Sequence, residues 1–499
     1  MFLRTQTSAG NPNARDSLLN LWGHILCLSY MQLTKTDFIQ YLNCPKSLWL
    51  LKTAPDHYPH GEFSTFMQKL VREGYEVEHY VKQLFESAGD RDASFQAVFE
   101  TDDGLFARVD VLEKMSGGTT ALYEVKSSTS VKTDAKHNHL KDACFQKICA
   151  ERAGQSIDGV FLVHLNGEYV RDGEIDPSAM LVFADITEAV DDVLAETSAE
   201  IDAALAFLAS DHDMNGCSCT KKTRANHCDA FSLFNPTVPT PSIYSLPFIR
   251  QNKIRDLRAM KVVGLDEVPG EFTLSDNQRL VVESFQHNAP KINEAAIQRF
   301  LSGLSFPLYF FDYETYSAAV PYLDGTGPHK HFPVQYSLHV LEADGSLDHK
   351  EYLEREARLP DRLVARMQED IGPTGSIVSW HKSFEETRNR ELAKRYPDKT
   401  DFLNDLNDRM VDLEDVFKSD YVDARFDGST SIKKVLPVVC PHLDYKELVV
   451  QDGASAMEAW RRMIDAPPDE AEKIASDLLS YCRLDTFAMV EIYRFLESI

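Results

Sequence analysis

Although 43% of its 499 residues are hydrophobic, the chain contains no stretch approaching the ~20 consecutive apolar residues that a helix needs to cross a bilayer. No membrane span is therefore expected. It also lacks a repeat of fixed period and a low-complexity tract, which excludes a repeat architecture. Positive charge is in deficit: 52 Lys and Arg stand against 78 Asp and Glu, a formal net charge of −26. On its face this speaks against a nucleic-acid partner. Salt screens exposed charges over ~8 Å, however, so the local surface decides. A site that holds metals is acidic by construction, and a local basic segment exists at Lys126, Lys132, Lys136, Lys141 and Lys147, with His137 and His139 among them. Net charge leaves the partner open.

A secretory leader is not recognisable either. The apolar run around residues 19–31 is broken by Trp22-Gly23-His24, and no small-residue cleavage pattern follows. Residues 1–30 are expected to be a dispensable extension with an upstream start, Met31 opening the folded chain, and the location is expected to be cytoplasmic. Nine cysteines in such a chain do not suggest a disulfide framework. Cys27, Cys144, Cys149, Cys440 and Cys482 sit in apolar or helical contexts and read as small core residues.

The length implies two domains plus connecting structure. In the first half a short helix opens at Thr36-Asp37 and stops near Asn43-Cys44-Pro45. A longer amphipathic helix is expected over 62–87, with Phe66, Leu70, Val77, Val81 and Leu84 at helical spacing. Strands are expected at 94–100, 105–113 and 121–126, the first two separated by the turn Thr101-Asp102-Asp103-Gly104. A helix over 136–153, a buried strand over 160–165 and an Ala-rich helix over 188–209 follow. Residues 236–304 read as a linker, Pro-rich (Pro236, Pro239, Pro241, Pro247) and then helical, with a small helical hairpin over 254–269. A second domain begins near Ser305, with strands at 308–311, 334–341 and 377–380. Helices dominate after Phe384, and the last runs from about Asp469 to the end. Strands first and helices after, in both halves, predict two α/β (α+β) domains.

Three groups of residues carry chemistry. Asp110 lies on one strand and Glu124 and Lys126 on the next. Alternation along a strand points Glu124 and Lys126 to one face, where Asp110 joins them if the strands pair. Two carboxylates and a lysine suit phosphodiester hydrolysis: the carboxylates hold Mg²⁺, and the lysine orients water or neutralises charge. Gln146, on the following helix, faces back. This arrangement over residues 31–235 resembles the RecB-like nucleases of the PD-(D/E)XK superfamily, a restriction-endonuclease-like fold. The resemblance makes Asp110 the motif aspartate, Glu124-Val125-Lys126 the E-x-K and Gln146 the helix glutamine. It places the early metal ligand at Glu78 or His79, next to Gly74. Ala150 departs from it, since an aromatic residue usually stands four positions after that glutamine.

Cys44 precedes Pro45, and Cys217, Cys219 and Cys228 cluster in a Gly/Ser/Thr/Asn-rich stretch. Four thiolates can hold Zn²⁺ or an iron–sulfur cluster. One early and three late cysteines around a nuclease core resemble the iron–sulfur RecB-like exonucleases, including CRISPR-associated ones. That resemblance implies a [4Fe–4S] cluster stapling the domain's ends, with Zn²⁺ as the alternative. The C-x-C-x8-C spacing here is looser than that family's.

Asp312 and Glu314 stand at period two after the apolar Leu308–Phe311 run, where buried acids need a positive partner such as a divalent cation. Tyr481 and Asp485 lie four apart on a helical stretch, so they share a face. Asp485 can complete a two-metal site, and Tyr481 can position the attacking water. The pattern over 305–499 resembles the DnaQ-like 3′–5′ exonucleases on an RNase H-like fold, in the subgroup ending in Y-x3-D. Where that family has an aspartate after a phenylalanine, Phe384 is followed by Glu385, and Asp412 is a competing candidate. Gly428-Ser429-Thr430-Ser431-Ile432-Lys433-Lys434-Val435 offers either a basic contact to substrate backbone or a helix cap.

These resemblances imply a nuclease that uses Mg²⁺ or Mn²⁺ to hydrolyse DNA, exonucleolytically, in repair, recombination or defence. An RNA-processing exonuclease and a nucleic-acid-binding scaffold with degenerate sites remain the alternatives.

Overall fold

The structure is a computed structural model that describes residues 32–60, 65–89, 91–115, 117–134 and 137–499. The expectations for residues 1–31, including Cys27, for 62–64 and for Lys136 lie outside the described residues. The architecture is mixed α/β: a six-stranded and a five-stranded sheet, each backed by helices, and a two-stranded ribbon. Among the described residues no helix is long and apolar enough to cross a membrane.

The first sheet contains β1 (Leu33–Thr34), β2 (Asp92–Glu100), β3 (Leu105–Lys114), β4 (Thr120–Val125), β5 (Gly159–Leu165) and β6 (Leu181–Asp185). Its order is β1-β3-β4-β5-β6, with β2 paired antiparallel to β3, and β4 and β5 run parallel. Strand β6, which the sequence reading missed, pairs antiparallel with β5. The helices His139–Arg152 and Thr187–Leu208 cover one face through Leu122, Phe145, Ile148, Leu162, Val190 and Ile201. The Thr65–Ser87 helix covers the other through Val77, Val81 and Phe85. Its first turns do not bury the expected face: Phe66 and Leu70 are 49% and 38% exposed.

Residues 242–285 are more than a linker. Ile243, Tyr244, Leu246, Ile254, Leu257 and Val281 form an apolar cluster that also takes in Val422 and Ala424. The expected helical hairpin is instead one helix, Gln251–Ala259, followed by turns held through the Ser242–Gly264 bridge. Strand β7 (Lys291–Ile292) pairs with β13 (Tyr421–Val422), which joins the segment to the second half.

The second sheet runs β10-β9-β8-β11-β12 with β8 (Leu308–Tyr316), β9 (Phe332–Leu341), β10 (Leu347–Leu353), β11 (Ser376–Ser379) and β12 (Met410–Asp412). Alternation sorts β8 cleanly. Tyr309, Phe311 and Tyr313 join one core with Leu363 and Met367. Leu308 and Phe310 join another with Leu478, Met489 and Tyr493 of the helix Pro468–Glu497. Period two therefore turns Asp312 and Glu314 toward that long helix.

The two halves touch through the segment between β8 and β9. Ala319 is fully buried in the apolar cluster of Val77 and Tyr123, and its amide donates to Glu73 at 3.2 Å. His329 reaches the Ser127 carbonyl at 2.6 Å, and the Arg171 amide donates to the Thr326 carbonyl at 3.0 Å. Glu73 is 1% exposed and pairs with Lys69, also buried, at 2.8 Å. Truncating one member of a buried ion pair costs about 3–5 kcal/mol, because the other charge stays buried. Glu73→Ala is expected to lower stability toward urea by that order, and a wild-type unfolding midpoint in this variant would show the contact to be dispensable.

Candidate functional site

Two acidic constellations and one thiol cluster assemble from distant segments. In the first half, β3 carries Asp110 and β4 carries Glu124. The β2–β3 ladder skips the Gln96/Asp110 pair, and Gln96 adopts a φ of 55°. Such a backbone is uncommon for a residue with a side chain. From there the Gln96 amide nitrogen reaches Glu78 at 3.0 Å and Asp110 at 3.4 Å. The other Asp110 oxygen accepts from the Val125 amide at 2.8 Å.

Glu124 is 1% exposed and faces the His139–Arg152 helix. Its Oε1 receives both Lys35 at 2.6 Å and Lys126 at 2.7 Å, and its Oε2 accepts from Gln146 at 2.5 Å. Burial alone would raise the Glu124 carboxyl, but Lys126 and Lys35 outweigh it and hold the group below the usual range. Asp110 moves the opposite way. Burial first, then the Glu124 charge, pushes its carboxyl well above the usual range. Glu78 is also raised, chiefly by burial.

Glu78 and Asp110 line a cavity of about 430 Å³ with Lys35, Tyr75 and Arg108. His79 does not. It points into a larger groove of about 1170 Å³ between the halves, beside Arg171 and Tyr322. Of the two expected early ligands, Glu78 is therefore the one beside Asp110. Gln146 takes its place on Glu124 without an aromatic at Ala150.

Sequence reasoning missed Lys35, Gln96 and Asp142. Asp142 could have been found, since it stands one helical turn before Gln146 and so shares its face. It receives Lys126 at 2.5 Å. Lys35 carries no such signal. It is placed by the capping box of Thr34 and Asp37 that starts the Lys35–Asn43 helix.

In the second half, Asp312 and Glu314 on β8 meet Tyr481, Cys482 and Asp485 on the long helix. Ligand atoms of Asp312, Glu314 and Cys482 all lie within 4.8 Å of one another. Burial, followed by the charges of Asp485, Glu314 and Glu385, pushes Asp312 well above the usual range. Glu314 is raised in the same way, by burial first and then Asp485, while Lys433 pulls against the shift. Burial lifts Asp485 to about 6 against the Tyr445 hydroxyl, which donates to it at 2.7 Å. Glu385, 2% exposed in the first turn of the Ser383–Arg395 helix, is pushed up to about 8, chiefly by burial. Its Oε2 is buried and finds no hydrogen-bond partner among the described residues.

Glu385 bears on both Asp312 and Glu314, whereas Asp412 accepts the His381 and Glu414 amides at 3.0 and 3.1 Å. Of the two candidates for the middle acid, Glu385 is therefore the one in the cluster, and Asp412 braces the turn before it. Lys433 donates to the Tyr481 hydroxyl at 3.1 Å. Gly428, at φ 77°, makes this possible: any Cβ there would collide with the Ser245 carbonyl. The turn it allows leads straight into the Ile432–Val439 helix that carries Lys433. Cys482, expected to be core, is buried but also approaches Asp312 Oδ2 at 3.6 Å. Tyr445 was missed, and only the folded chain brings it to Asp485.

The remaining cysteines separate as expected. Cys144, Cys149 and Cys440 are buried, with thiols that burial pushes up to about 11. Cys44, Cys217, Cys219 and Cys228 instead bring their sulfurs within 4.8 Å of one another.

Residues 309–431 match a family described as "Domain of unknown function (DUF2779)". That span includes Asp312, Glu314, Glu385 and Asp412 and ends before Lys433, Tyr481 and Asp485. The chain is 26% identical over 217 residues to "Uncharacterized protein MG366" of Mycoplasma genitalium. It is 28% identical over 220 residues to "Uncharacterized protein MG366 homolog" of Mycoplasma pneumoniae. Each alignment takes in 38% of this chain and 32% of the relative, so the chain spans about a third of the length of these relatives.

The raised carboxyls set a pH dependence for chelator-treated protein. Glu385 holds its proton more tightly folded than unfolded. Its stabilising contribution is thus complete below about 4.5 and is lost as pH rises through about 8. The melting temperature in chelator is expected to fall across that window, and to fall less in Glu385→Gln. Equal slopes in the two proteins would show that burial does not raise the Glu385 carboxyl.

Proposed function

We propose that this chain is a metal-dependent nuclease acting on DNA, with one site of PD-(D/E)XK type in its first half and one of DnaQ type in its second. The observation that carries the reading is the second cluster. Asp312, Glu314, Glu385 and Asp485 come from two helices and a central strand; burial raises all four carboxyls, and the charges of Asp485 and Glu385 raise Asp312 and Glu314 further. Sites under such strain are where catalytic groups concentrate.

The donor set suits Mg²⁺ or Mn²⁺. Its acids offer carboxylate oxygens beside the Cys482 thiol, and Glu385 Oε2 finds no hydrogen-bond partner among the described residues. Asp312, Glu314, Glu385 and Asp485 would hold the ions, which when bound polarise the phosphate and lower the pKa of water. The chain's own contribution is positional. Tyr481, kept in place by Lys433, presents a hydroxyl at the edge of the cluster, where it would orient a water. Tyr445 donates to Asp485 and orients its carboxylate.

The first site is balanced differently, which supports a division of labour. Glu124 already carries two lysines, so Asp110 and Glu78 are the acids with spare affinity for a cation. Lys126, on Glu124 and Asp142, is held where it would neutralise charge on a phosphate.

The test is degradation of end-labelled single- and double-stranded DNA, and of RNA of the same sequence, with Mg²⁺, Mn²⁺ or chelator. Cutting that needs metal and falls at least 100-fold in Asp312→Ala or Asp110→Ala assigns the chemistry to that half. Metal-dependent cutting of RNA alone would change the substrate. No cutting of any substrate by folded protein would sink the enzyme reading in favour of a binding scaffold.

A further inference from the structure

The thiol cluster lies away from both acidic sites, and its geometry bears on a question that composition leaves open. Cys44 sits in the single-residue break between the Lys35–Asn43 and Pro45–Thr53 helices. Cys217 and Cys219 bracket the start of the 3₁₀ turn Ser218–Lys221, and Cys228 comes just before the Phe231–Phe234 helix. The four sulfurs are drawn from both ends of the first half, yet each stands within 4.8 Å of the other three.

That distance discriminates between occupants. Around one zinc ion, with Zn–S bonds of ~2.3 Å, tetrahedral thiolates stand about 3.8 Å apart. A [4Fe–4S] cluster seats every thiolate on a different iron, at the corners of a body of eight atoms. Those corners are farther apart than the donors of a single ion. A two-iron cluster sets its two thiolate pairs apart across bridging sulfides. Four sulfurs in mutual contact range leave room at their centre for one ion.

The surroundings support a thiolate site of that size. The Asn235 amide nitrogen donates to the Cys217 sulfur at 3.5 Å. Such donors offset the negative charge that four thiolates leave on a divalent ion. Leu50, Tyr58, Ala230 and Phe234 are buried against the cysteines, of which Cys44, Cys219 and Cys228 are buried and Cys217 is half-buried.

We infer that Cys44, Cys217, Cys219 and Cys228 form a closed structural site for a single tetrahedral zinc ion, and that the iron–sulfur cluster implied by the sequence resemblance does not fit here. The inference stands independently of the nuclease reading. The ion ties the N-terminal helices to the segment that follows the Thr187–Leu208 helix, and no position is left open for substrate or water.

The experiment uses the full chain purified under anaerobic conditions, so that an oxygen-sensitive cluster would survive. Metal and inorganic sulfide content, the visible spectrum and the melting temperature are then measured. The expected result is one zinc per chain, no sulfide and no visible absorption. Replacement by Co²⁺ should give the intense ligand-field bands of tetrahedral thiolate coordination. Cys217→Ser and Cys228→Ser should lose the zinc and melt lower. Should those variants fail to fold, the Co²⁺ spectrum of the wild-type chain still decides. Iron with comparable inorganic sulfide and a visible charge-transfer band would overturn the inference, as would a metal-free chain whose melting temperature does not respond to zinc.

Discussion

Burying carboxylates is the constraint around which the second half is built. Strand β8 is central in its sheet, and its alternation drives Leu308 and Phe310 into the same core that Asp312 and Glu314 face. An ionised carboxylate in such a place costs far more than one at the surface unless charge or hydrogen bonds compensate it. The long C-terminal helix supplies the apolar cover through Leu478, Met489 and Tyr493, and in the same turns adds Asp485 to the problem. In the first half Glu124 is compensated by two lysines, whereas Asp110 stays raised by burial.

The segment between β8 and β9 makes the two solutions parts of one molecule. It leaves the strand that carries Asp312 and Glu314 and inserts Ala319 beneath the Thr65–Ser87 helix, which carries Glu78. It then brings His329 to the carbonyl of Ser127, the residue after Lys126. His329 itself takes a φ of 55°, so its reach across to the first half is set against an unfavourable backbone. Displacement of this segment would be felt at both acidic constellations.

Much of this was legible along the chain. Strand-like apolar runs located β2, β3, β4, β5, β8, β9 and β11, and similarly local patterns located the Thr187–Leu208 and Pro468–Glu497 helices, because such patterns are written in consecutive residues. Strands β6 and β10 escaped notice: β6 is short, and β10, Leu-Asp-His-Lys-Glu-Tyr-Leu, reads as polar because it lies at a sheet edge. Phe66 and Leu70 fitted the helical stripe and yet stay exposed, since spacing says which residues share a face and not whether anything covers it.

By itself the sequence determined the types of most long elements, the pairing of Asp312 with Glu314 and of Tyr481 with Asp485, and the candidate thiols, all of which depend on short-range patterns. Tertiary structure alone decided that Glu385 rather than Asp412 joins the buried acids, that Glu78 rather than His79 faces Asp110, and that Lys35 shares Glu124 with Lys126. The physical reason is that each of these choices turns on a side-chain direction and a packing contact between segments tens to hundreds of residues apart. No local periodicity encodes such a contact.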